Sequence, residues 1–242
     1  MQMKNKYTLL WLFSDLCDLY GDGGNLTMIE KRLAEMGRSC EILRPGAEET
    51  PDLASADVVY IGPGKAANVE YAASCMAGWA GELRAAVDDG KAVLVTGNGR
   101  ELLGAEFETP SGGKAAGAGI FAHTAHETGS VFVSDVVGRA QVPGEPRCYG
   151  FINRTAHLVG DCGEPLFKLE RGAGDGEGVT ADTEGSILGN LFATWCVGPV
   201  LVRNPDLLRD FMRRFTEGEL PEFDDALERR ALALTLSEFD KK

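Results

Sequence analysis

The amino-acid sequence predicts an α/β fold, in which a mostly parallel central sheet is flanked by helices and extended by extra antiparallel strands. Over the first hundred residues, apolar runs, glycine-rich turns and amphipathic stretches follow one another in repeated order. That alternation is typical of parallel strands joined by crossover helices. The middle third lacks it and instead carries strand-like segments between glycine-rich turns, which predicts the antiparallel strands.

The first strand and the first helix are predicted within residues 7–37. Tyr7–Phe13 is apolar throughout, as expected of a central strand that is covered on both faces. A glycine-rich turn follows, and Asp22 and Asn25 are predicted to cap a helix. The apolar stripe of that helix and the glycine that ends it are Leu26, Ile29, Leu33, Met36 and Gly37.

The next elements lead to a glycine-rich turn at residues 96–99. They are the strands Cys40–Leu43 and Val58–Ile61, a helix Val69–Val87 ended by Gly90, the strand Ala92–Val95, and a helical Arg100–Leu103 after the turn. Because the carboxyl ends of parallel strands meet at one edge of a sheet, the turns after residues 13, 61 and 95 are predicted to share that rim. Ligands of open α/β sheets gather at such a rim.

The second half of the chain is predicted to add strands, a loop and two helices. These are the strands Val131–Val137, Cys148–Ile152 and Ile187–Phe192, a glycine-rich loop at 171–178, a helix opened by Asn204 and Pro205, and an amphipathic helix from Pro221 to Phe239. The carboxylates Asp175 and Glu177 would repel an anion from the loop, so a solvated turn is predicted there. With no repeat and no linker, we expect one domain over residues 1–242, with a core at 7–216 and the last helix at 221–239.

Charge and composition exclude several classes of partner. The formal net charge is −13, from 37 acidic and 24 basic residues, and it repels nucleic acid and anionic lipid. The apolar run at residues 7–13 is too short to span a bilayer or to be a signal peptide. The cysteines are scattered without paired spacing, so we expect neither a disulfide framework nor a metal site. We also expect no cofactor, and a location in the reducing cytoplasm.

Residues 95–104, Val-Thr-Gly-Asn-Gly-Arg-Glu-Leu-Leu-Gly, have the form of a strand-to-helix elbow. Such an elbow lifts one side chain above the edge of a sheet. A plain turn between a strand and a helix also uses glycines, so this motif alone leaves both interpretations open. Three more stretches narrow the choice: Leu-Tyr-Gly-Asp-Gly-Gly-Asn at 19–25, Gly-Phe-Ile-Asn at 150–153, and Gly-Pro-Val-Leu-Val-Arg-Asn-Pro at 198–205.

In this order the four stretches resemble the cobyric-acid-synthase branch of the class I glutamine amidotransferases, and within it the glutaminase subunits of lipid II isoglutaminyl synthases. Those proteins carry Leu-Tyr-Gly-Asp-Arg-Gly-Asn, Cys-Gly-Gly-Tyr-Gln-Leu-Leu-Gly, Gly-Phe-Glu-Asn-His and Tyr-Leu-His-Gly-Pro-Leu-Leu-x-x-Asn-Pro. The resemblance covers residues 7–216 and implies a flavodoxin-like three-layer sandwich. It also implies a role in supplying ammonia for amidation of lipid II or of corrinoids, beside a Mur-ligase-like synthetase.

The resemblance places replacements at the positions that carry the chemistry. In the family a cysteine thiolate attacks the glutamine amide, a histidine activates it, and fixed N–H donors stabilise the oxyanion. The elbow cysteine falls on Gly97, and the histidine falls on Val197. The family's triple glycine becomes Gly62-Pro63-Gly64, and Pro63 has no N–H.

Two neighbouring stretches depart from the family as well. The Gln-Asp-Arg-Glu that follows the triple glycine reads Lys-Ala-Ala-Asn at residues 65–68, and Glu-Asn-His reads Ile-Asn-Arg at 152–154. Cys196 adjoins the lost histidine but has no partner at Gly97. His123, His126 and His157 have no acidic or cysteine partners at ligand spacing, so they are predicted to be surface or core histidines.

Three hypotheses of function follow. The chain is a non-catalytic subunit beside a Mur-ligase-like synthetase, an enzyme of changed chemistry in the same rim pocket, or a sensor that binds a small amide without cleaving it. The family's polar Gln-Asp-Arg-Glu is absent at residues 65–68, which weakens the sensor hypothesis. The candidate pocket and oxyanion-region residues are Asp22, Gly62, Pro63, Gly64, Asn98, Gly99, Arg100, Glu101 and Asn153.

Overall fold

The apolar runs become strands in the structure, a computed structural model that describes residues 4–176, 182–216 and 223–241. The strands are β1 (Lys6–Leu12), β2 (Ser39–Leu43), β3 (Val58–Ile61), β4 (Ala92–Thr96), β5 (Glu106–Glu108), β6 (Lys114–Ala116), β7 (Thr124–Ala140), β8 (Arg147–Val159), β9 (Phe167–Arg171), β10 (Thr183–Glu184), β11 (Ser186–Leu188), β12 (Leu191–Thr194) and β13 (Cys196–Val197). The α-helices are α1 (Gly24–Glu35), α2 (Ala66–Met76), α3 (Ala80–Asp88), α4 (Val200–Arg203), α5 (Pro205–Arg213) and α6 (Ala226–Asp240). Short 3₁₀ helices cover Leu19–Gly21 and Gly97–Leu103.

The central sheet of the described residues has the strand order β11-β12-β4-β3-β1-β2. Its pairs are parallel except β11–β12, which is antiparallel. Every residue of β3, β4 and β12 is buried, because helices cover the faces of a parallel sheet and leave no polar side. The predicted α/β fold with a mostly parallel sheet is confirmed.

A second, mainly antiparallel sheet supplies the predicted extra strands. The long strands β7 and β8 form its centre, and β9, β5 and β13 pair with them. β7 and β8 extend well beyond the predicted Val131–Val137 and Cys148–Ile152. Residues 128–130 of β7 are exposed, and β8 alternates between buried and half-exposed residues over nearly its whole length, so no continuous apolar run marks the full extent of either strand. Phe151 of β8 lies opposite Val197 of β13, which brings this sheet to the rim of the first.

The predicted single helix Val69–Val87 is wrong, because the chain forms α2 and α3 with a break between them. Trp79 ends the break in a non-helical conformation, with φ of −135°. Its indole is buried and stacks on Phe13, with 5.7 Å between the ring centres. Burial of this large ring outweighs the continuity of the helix.

The predicted strand Ile187–Phe192 is also wrong, because it divides into the antiparallel pair β11 and β12. Gly189, with φ of +54°, lies in the turn between them, and glycine adopts this left-handed conformation without strain. The helix opened by Asn204 and Pro205 is α5, with the proline in its first turn. The last helix begins at Ala226 and ends at Asp240, while its predicted start at Pro221 falls outside the described residues.

Asp22 and Asn25 do not cap α1, contrary to prediction. Gly23 occupies the N-cap position, and no side chain caps the helix there. Asn25 lies inside the helix, and its Oδ1 accepts the N–H of Leu201 at 2.9 Å. Its side chain thus satisfies a free N–H at the start of α4, which lies 176 residues further along the chain.

No helix within residues 4–176, 182–216 and 223–241 combines the length and the apolarity that a membrane span requires.

Candidate functional site

The turns that follow β1, β3 and β4 meet at the rim of the central sheet, as predicted. The N–H of Leu19, after β1, donates to the carbonyl of Pro63, after β3, at 2.9 Å. Asn98, in the elbow after β4, bonds to Gly64. β13 brings Val197 to the same place. The chain therefore brings together Gly97 and Val197, the two positions at which the resemblance predicts the family's cysteine and histidine.

Gly97, at which the resemblance predicts the family's nucleophile, is closely covered by apolar side chains. Its φ is +58°, a left-handed conformation that residues with a Cβ adopt only with strain. A Cβ placed on Gly97 would lie 2.6 Å from Cβ of Pro63 and 3.0 Å from Cγ1 of Val197. Pro63 and Val197 thus fill the space above Gly97.

Asn98 and Gly64 satisfy each other's hydrogen bonds. The N–H of Gly64 donates to Oδ1 of Asn98 at 2.9 Å, and Nδ2 of Asn98 donates to the carbonyl of Gly64 at 2.9 Å. The Gly64 N–H is therefore engaged by Asn98, and Pro63 has no N–H to offer as a donor.

The remaining glycines of the site allow close approach of backbone to backbone. A Cβ on Gly62 would lie 2.6 Å from the carbonyl oxygen of Cys17, and a Cβ on Gly99 would lie 2.8 Å from that of Gly62. Both predicted pocket glycines therefore hold the three turns together.

Replacing Asn98 tests this pairing. Asn98→Ala is expected to lower the free energy of unfolding by about 1–3 kcal/mol, because two backbone groups lose their partners. Asn98→Asp keeps the acceptor for the Gly64 N–H but sets a carboxylate oxygen against the Gly64 carbonyl, so we expect it to be at least as destabilising. Urea unfolding followed by circular dichroism measures both changes. Wild-type stability in both variants would contradict the pairing.

Asp22 joins the first turn to the segment after Val197. Its Oδ1 accepts the N–H of Gly198 at 2.7 Å. The Tyr60 hydroxyl lies 3.0 Å from the Asp22 carbonyl and 3.1 Å from Oγ1 of Thr96. Burial raises the pKa of the Asp22 carboxyl to about 6, although hydrogen bonds from Thr96, Gly198 and Tyr60 favour its ionised form. Asp22 therefore holds the β13–α4 turn in place.

Arg100 is buried and faces the second sheet. Its guanidinium pairs with the carboxylate of Asp175 and donates to Oγ of Ser186 at 2.9 Å. Glu184 lies 3.6 Å away and accepts the N–H of Trp195 at 2.6 Å. Burial, followed by the nearby Asp175 carboxylate, raises the pKa of Glu184. Arg100 thereby braces the elbow against the segment that leads into β13.

The predicted solvated turn at 171–178 is wrong for its described part. Ala173 is buried, and Asp175 pairs with Arg100. Nη2 of Arg154 donates to the carbonyls of Gly174 and Gly176, each at 2.9 Å. A buried arginine requires such acceptors, so the loop packs on the protein. Glu177 and residue 178 lie outside the described residues.

Glu101 follows Arg100 and is also buried, at 4% exposure. Burial raises the pKa of its carboxyl to about 8, and the charge of Glu127 adds to the shift. A carboxyl in such surroundings stays protonated at neutral pH. Asn153 lies at the edge of the site, where its Nδ2 donates to the Tyr20 hydroxyl at 3.1 Å.

The thiols of Cys17 and Cys196 and the imidazole of His123 are not activated for nucleophilic catalysis. Burial raises the pKa of the Cys17 thiol to about 12, and it raises the pKa of Cys196 well above the ordinary value. Burial lowers the pKa of His123 to about 4. A nucleophilic cysteine needs a lowered pKa, so neither thiol is activated.

The described residues contain no cluster of three or more His, Cys, Asp or Glu side chains that could hold a metal ion. Of the candidates for changed chemistry, Asn98 bonds to Gly64, both terminal nitrogens of Arg100 bond to Asp175 or Ser186, and Glu101 is buried away from solvent. That hypothesis stays untested.

Sequence reasoning missed Tyr60, Thr96 and Glu184 as parts of this region. Tyr60 lies in an apolar strand, where its aromatic ring suggests a core residue. The sequence therefore gives no indication that its hydroxyl bonds to other groups of the region. Thr96 lies in the elbow motif directly before Gly97, and its position at the end of β4 was the one available indication. Glu184 lies in a short segment that has no periodic pattern.

Comparison with known proteins supports the resemblance found in the sequence. The model of the CobB/CobQ-like glutamine amidotransferase domain matches residues 11–205. The lipid II isoglutaminyl synthase (glutamine-hydrolyzing) subunit GatD of Staphylococcus aureus (strain N315) is 25% identical over 206 residues, which cover 84% of this chain and 82% of the relative. The subunit of the same name from Streptococcus pneumoniae (strain ATCC BAA-255 / R6) is 25% identical over 198 residues, which cover 81% and 75%.

Two solved structures share the fold. The crystal structure of a glutamine amidotransferase superposes with a TM-score of 0.56 at 17% identity, covering 85% of this chain and 97% of the other. A glutamine amidotransferase from Thermotoga maritima, determined at 1.70 Å, gives a TM-score of 0.52 at 14% identity and covers 94% and 89%. At this level of identity the two structures establish the architecture.

Proposed function

Because this chain belongs to the CobB/CobQ-like glutamine amidotransferase family, we propose that it is a subunit that keeps the glutaminase fold and does not hydrolyse glutamine. The observation that carries the proposal is the packing of Pro63 and Val197 over Gly97. In the family a thiol and an imidazole would meet here, whereas in this chain a proline ring and a valine methyl group fill the place. Hydrolysis through a thioester needs the sulfur, the base and room for the amide.

The oxyanion position supports the same proposal. Stabilisation of a tetrahedral intermediate requires N–H donors that are free to point at the developing charge. The Gly64 N–H is bonded to Asn98, and Pro63 has none. Binding of an amide at this place would have to displace the Asn98 side chain.

The partner follows from the relatives. The two curated relatives are subunits of a glutamine-hydrolysing lipid II isoglutaminyl synthase. We propose that this chain likewise assembles with a Mur-ligase-like synthetase, as a structural or regulatory subunit. Affinity purification from the native cell, read by mass spectrometry, tests the assembly. A ligase of this class is expected among the captured proteins, and a repeated capture that lacks one would contradict the assembly.

A glutaminase assay tests the loss of hydrolysis. The purified chain, alone and with the captured ligase, is expected to release no ammonia from glutamine above a mock purification. The Staphylococcus aureus relative assayed in parallel serves as the positive control. Ammonia release that disappears on Asn98→Ala or Glu101→Gln would refute the proposal, because it would locate an active centre at this rim.

A further inference from the structure

The C-terminal helix α6 lies over the protein without burying any of its residues. Ion pairs hold it near its ends. Nη2 of Arg32 binds Glu228 at 2.6 Å near the start, and Nη2 of Arg147 binds Asp240 at 2.7 Å at the end. Between these anchors a groove of about 450 Å³ separates α6 from α1, α4 and β8.

The groove has the character of a small-molecule site. Its volume falls within the range of roughly 300–1,000 Å³ typical of such sites, which are mostly apolar with a few polar groups. Its apolar lining comes from three helices and includes Met28, Val202, Leu227, Ala231 and Leu232. The larger cavity of about 550 Å³ beside α3 differs, because Asp57, Glu82, Asp89 and Lys91 are among the residues that line it.

The charges of the groove favour an anion. Glu228 faces it but is neutralised by Arg32 at 2.6 Å and by Lys31 at 3.7 Å. Arg203 also lines it, and no carboxylate lies within ion-pair distance of its guanidinium in the part of the chain that the structure describes. Its Nε donates to the Gly198 carbonyl, and its Cζ lies 5.4 Å from the centre of the Tyr149 ring. One uncompensated positive charge therefore lies beside an apolar surface.

From the groove between α1, α4 and α6 and the uncompensated charge of Arg203, we infer that this chain binds a single anionic amphiphile, with its apolar chain under α6 and its head group at Arg203. The ligand is a monomer such as a fatty acid. An anionic membrane surface does not suit the site, because the net charge of −13 repels it. The groove would keep this affinity whether or not the chain hydrolyses glutamine.

Three ten-carbon probes with different head groups test the inference, in calorimetric titrations of the full chain below micellar concentrations. Decanoate is expected to bind with a Kd on the order of 10–100 µM. Decanol and decylamine are expected to bind at least about tenfold more weakly, because neither provides a charge-assisted bond to the guanidinium.

Variants locate the site. Arg203→Gln is expected to weaken decanoate binding at least about tenfold, whereas Arg230→Gln removes the same charge from an exposed position of α6 outside the groove and should leave the Kd unchanged. Ala231→Trp fills the groove and should abolish binding. Thermal melts by circular dichroism must show that each variant is folded, and Arg230→Gln serves as the reference for the other two.

Several outcomes would overturn the inference. They are no decanoate binding at millimolar concentration, equal affinity for decanoate and decylamine, or equal weakening by Arg203→Gln and Arg230→Gln. Co-sedimentation with phosphatidylglycerol vesicles in the absence of binding to monomeric decanoate would overturn it as well, since it would assign the surface to a membrane.

Discussion

Gly97→Ala is expected to lower the free energy of unfolding by about 2–5 kcal/mol. Two separate effects contribute. A side chain in the left-handed conformation costs about 1–2 kcal/mol, and overpacking against Pro63 and Val197 costs about 1–3 kcal/mol more. Chemical denaturation at constant pH measures the total.

Two control glycines separate the effects. Gly37 has φ of +70° and open space around its Cβ position, so Gly37→Ala should show the strain alone. Gly81 lies in α3 with open space around it, so Gly81→Ala should be neutral or stabilising. Gly97→Ala should lower the free energy of unfolding by more than Gly37→Ala does, and this excess measures the cost of packing a Cβ against Pro63 and Val197.

A double-mutant cycle then tests which residue supplies the packing. Pro63→Gly removes the Cβ that a side chain at position 97 would meet, so Gly97→Ala should be less destabilising in that background. A coupling energy of about 1 kcal/mol or more is expected. If the losses of stability in the two single variants simply add in the double variant, Pro63 does not pack over position 97. The proposed function would then lose its main support.

Glu101→Gln is expected to remove a large pH dependence of stability. The carboxyl of Glu101 has a pKa of about 8 in the folded chain, against an ordinary value of 4.5. The folded state therefore binds more protons between these values, and the stability of the wild type falls as pH rises from about 4.5 to 8, by up to about 1.4 kcal/mol per pH unit.

Gln cannot ionise. The free energy of unfolding of the variant minus that of the wild type should therefore rise between pH 4.5 and 8 and level off above pH 8. The total rise is expected to be on the order of 4–5 kcal/mol. Denaturation curves between pH 4.5 and 9 measure it, and Glu30→Gln at an exposed position controls for the loss of one carboxylate. A difference that stays flat between pH 5 and 8 would show that Glu101 is ionised in the native protein. The amidotransferase elbow carries Gln at the corresponding position, which suits a site that tolerates only a neutral group.

The strands of the central sheet were predictable because they are buried on both faces and therefore read as continuous apolar runs. β3 and β4 match their predicted positions within a residue. The break before α3 was not predictable, because it depends on the indole of Trp79 reaching Phe13 across the fold. Helical periodicity carries no information on such distant packing.

Within the site, the sequence located the positions and not the contacts. The motifs predict that Gly97, Pro63 and Val197 occupy positions of the family's active site, and the structure packs these three together. The roles of Asp22 and Asn25 were assigned locally, whereas their partners Gly198 and Leu201 each lie 176 residues away. An aspartate or asparagine side chain can either cap a helix or bond to a distant turn. The local sequence pattern could not distinguish these two roles.

The packing of Pro63 and Val197 over Gly97 also constrains any attempt to engineer glutaminase activity into this chain. A cysteine at position 97 would meet the proline ring and have no base beside it. A histidine at position 197 would have no thiol to activate, and a glycine at position 63 would leave a cavity. Under the proposed function, no single substitution would create the activity, and the three positions would have to change together.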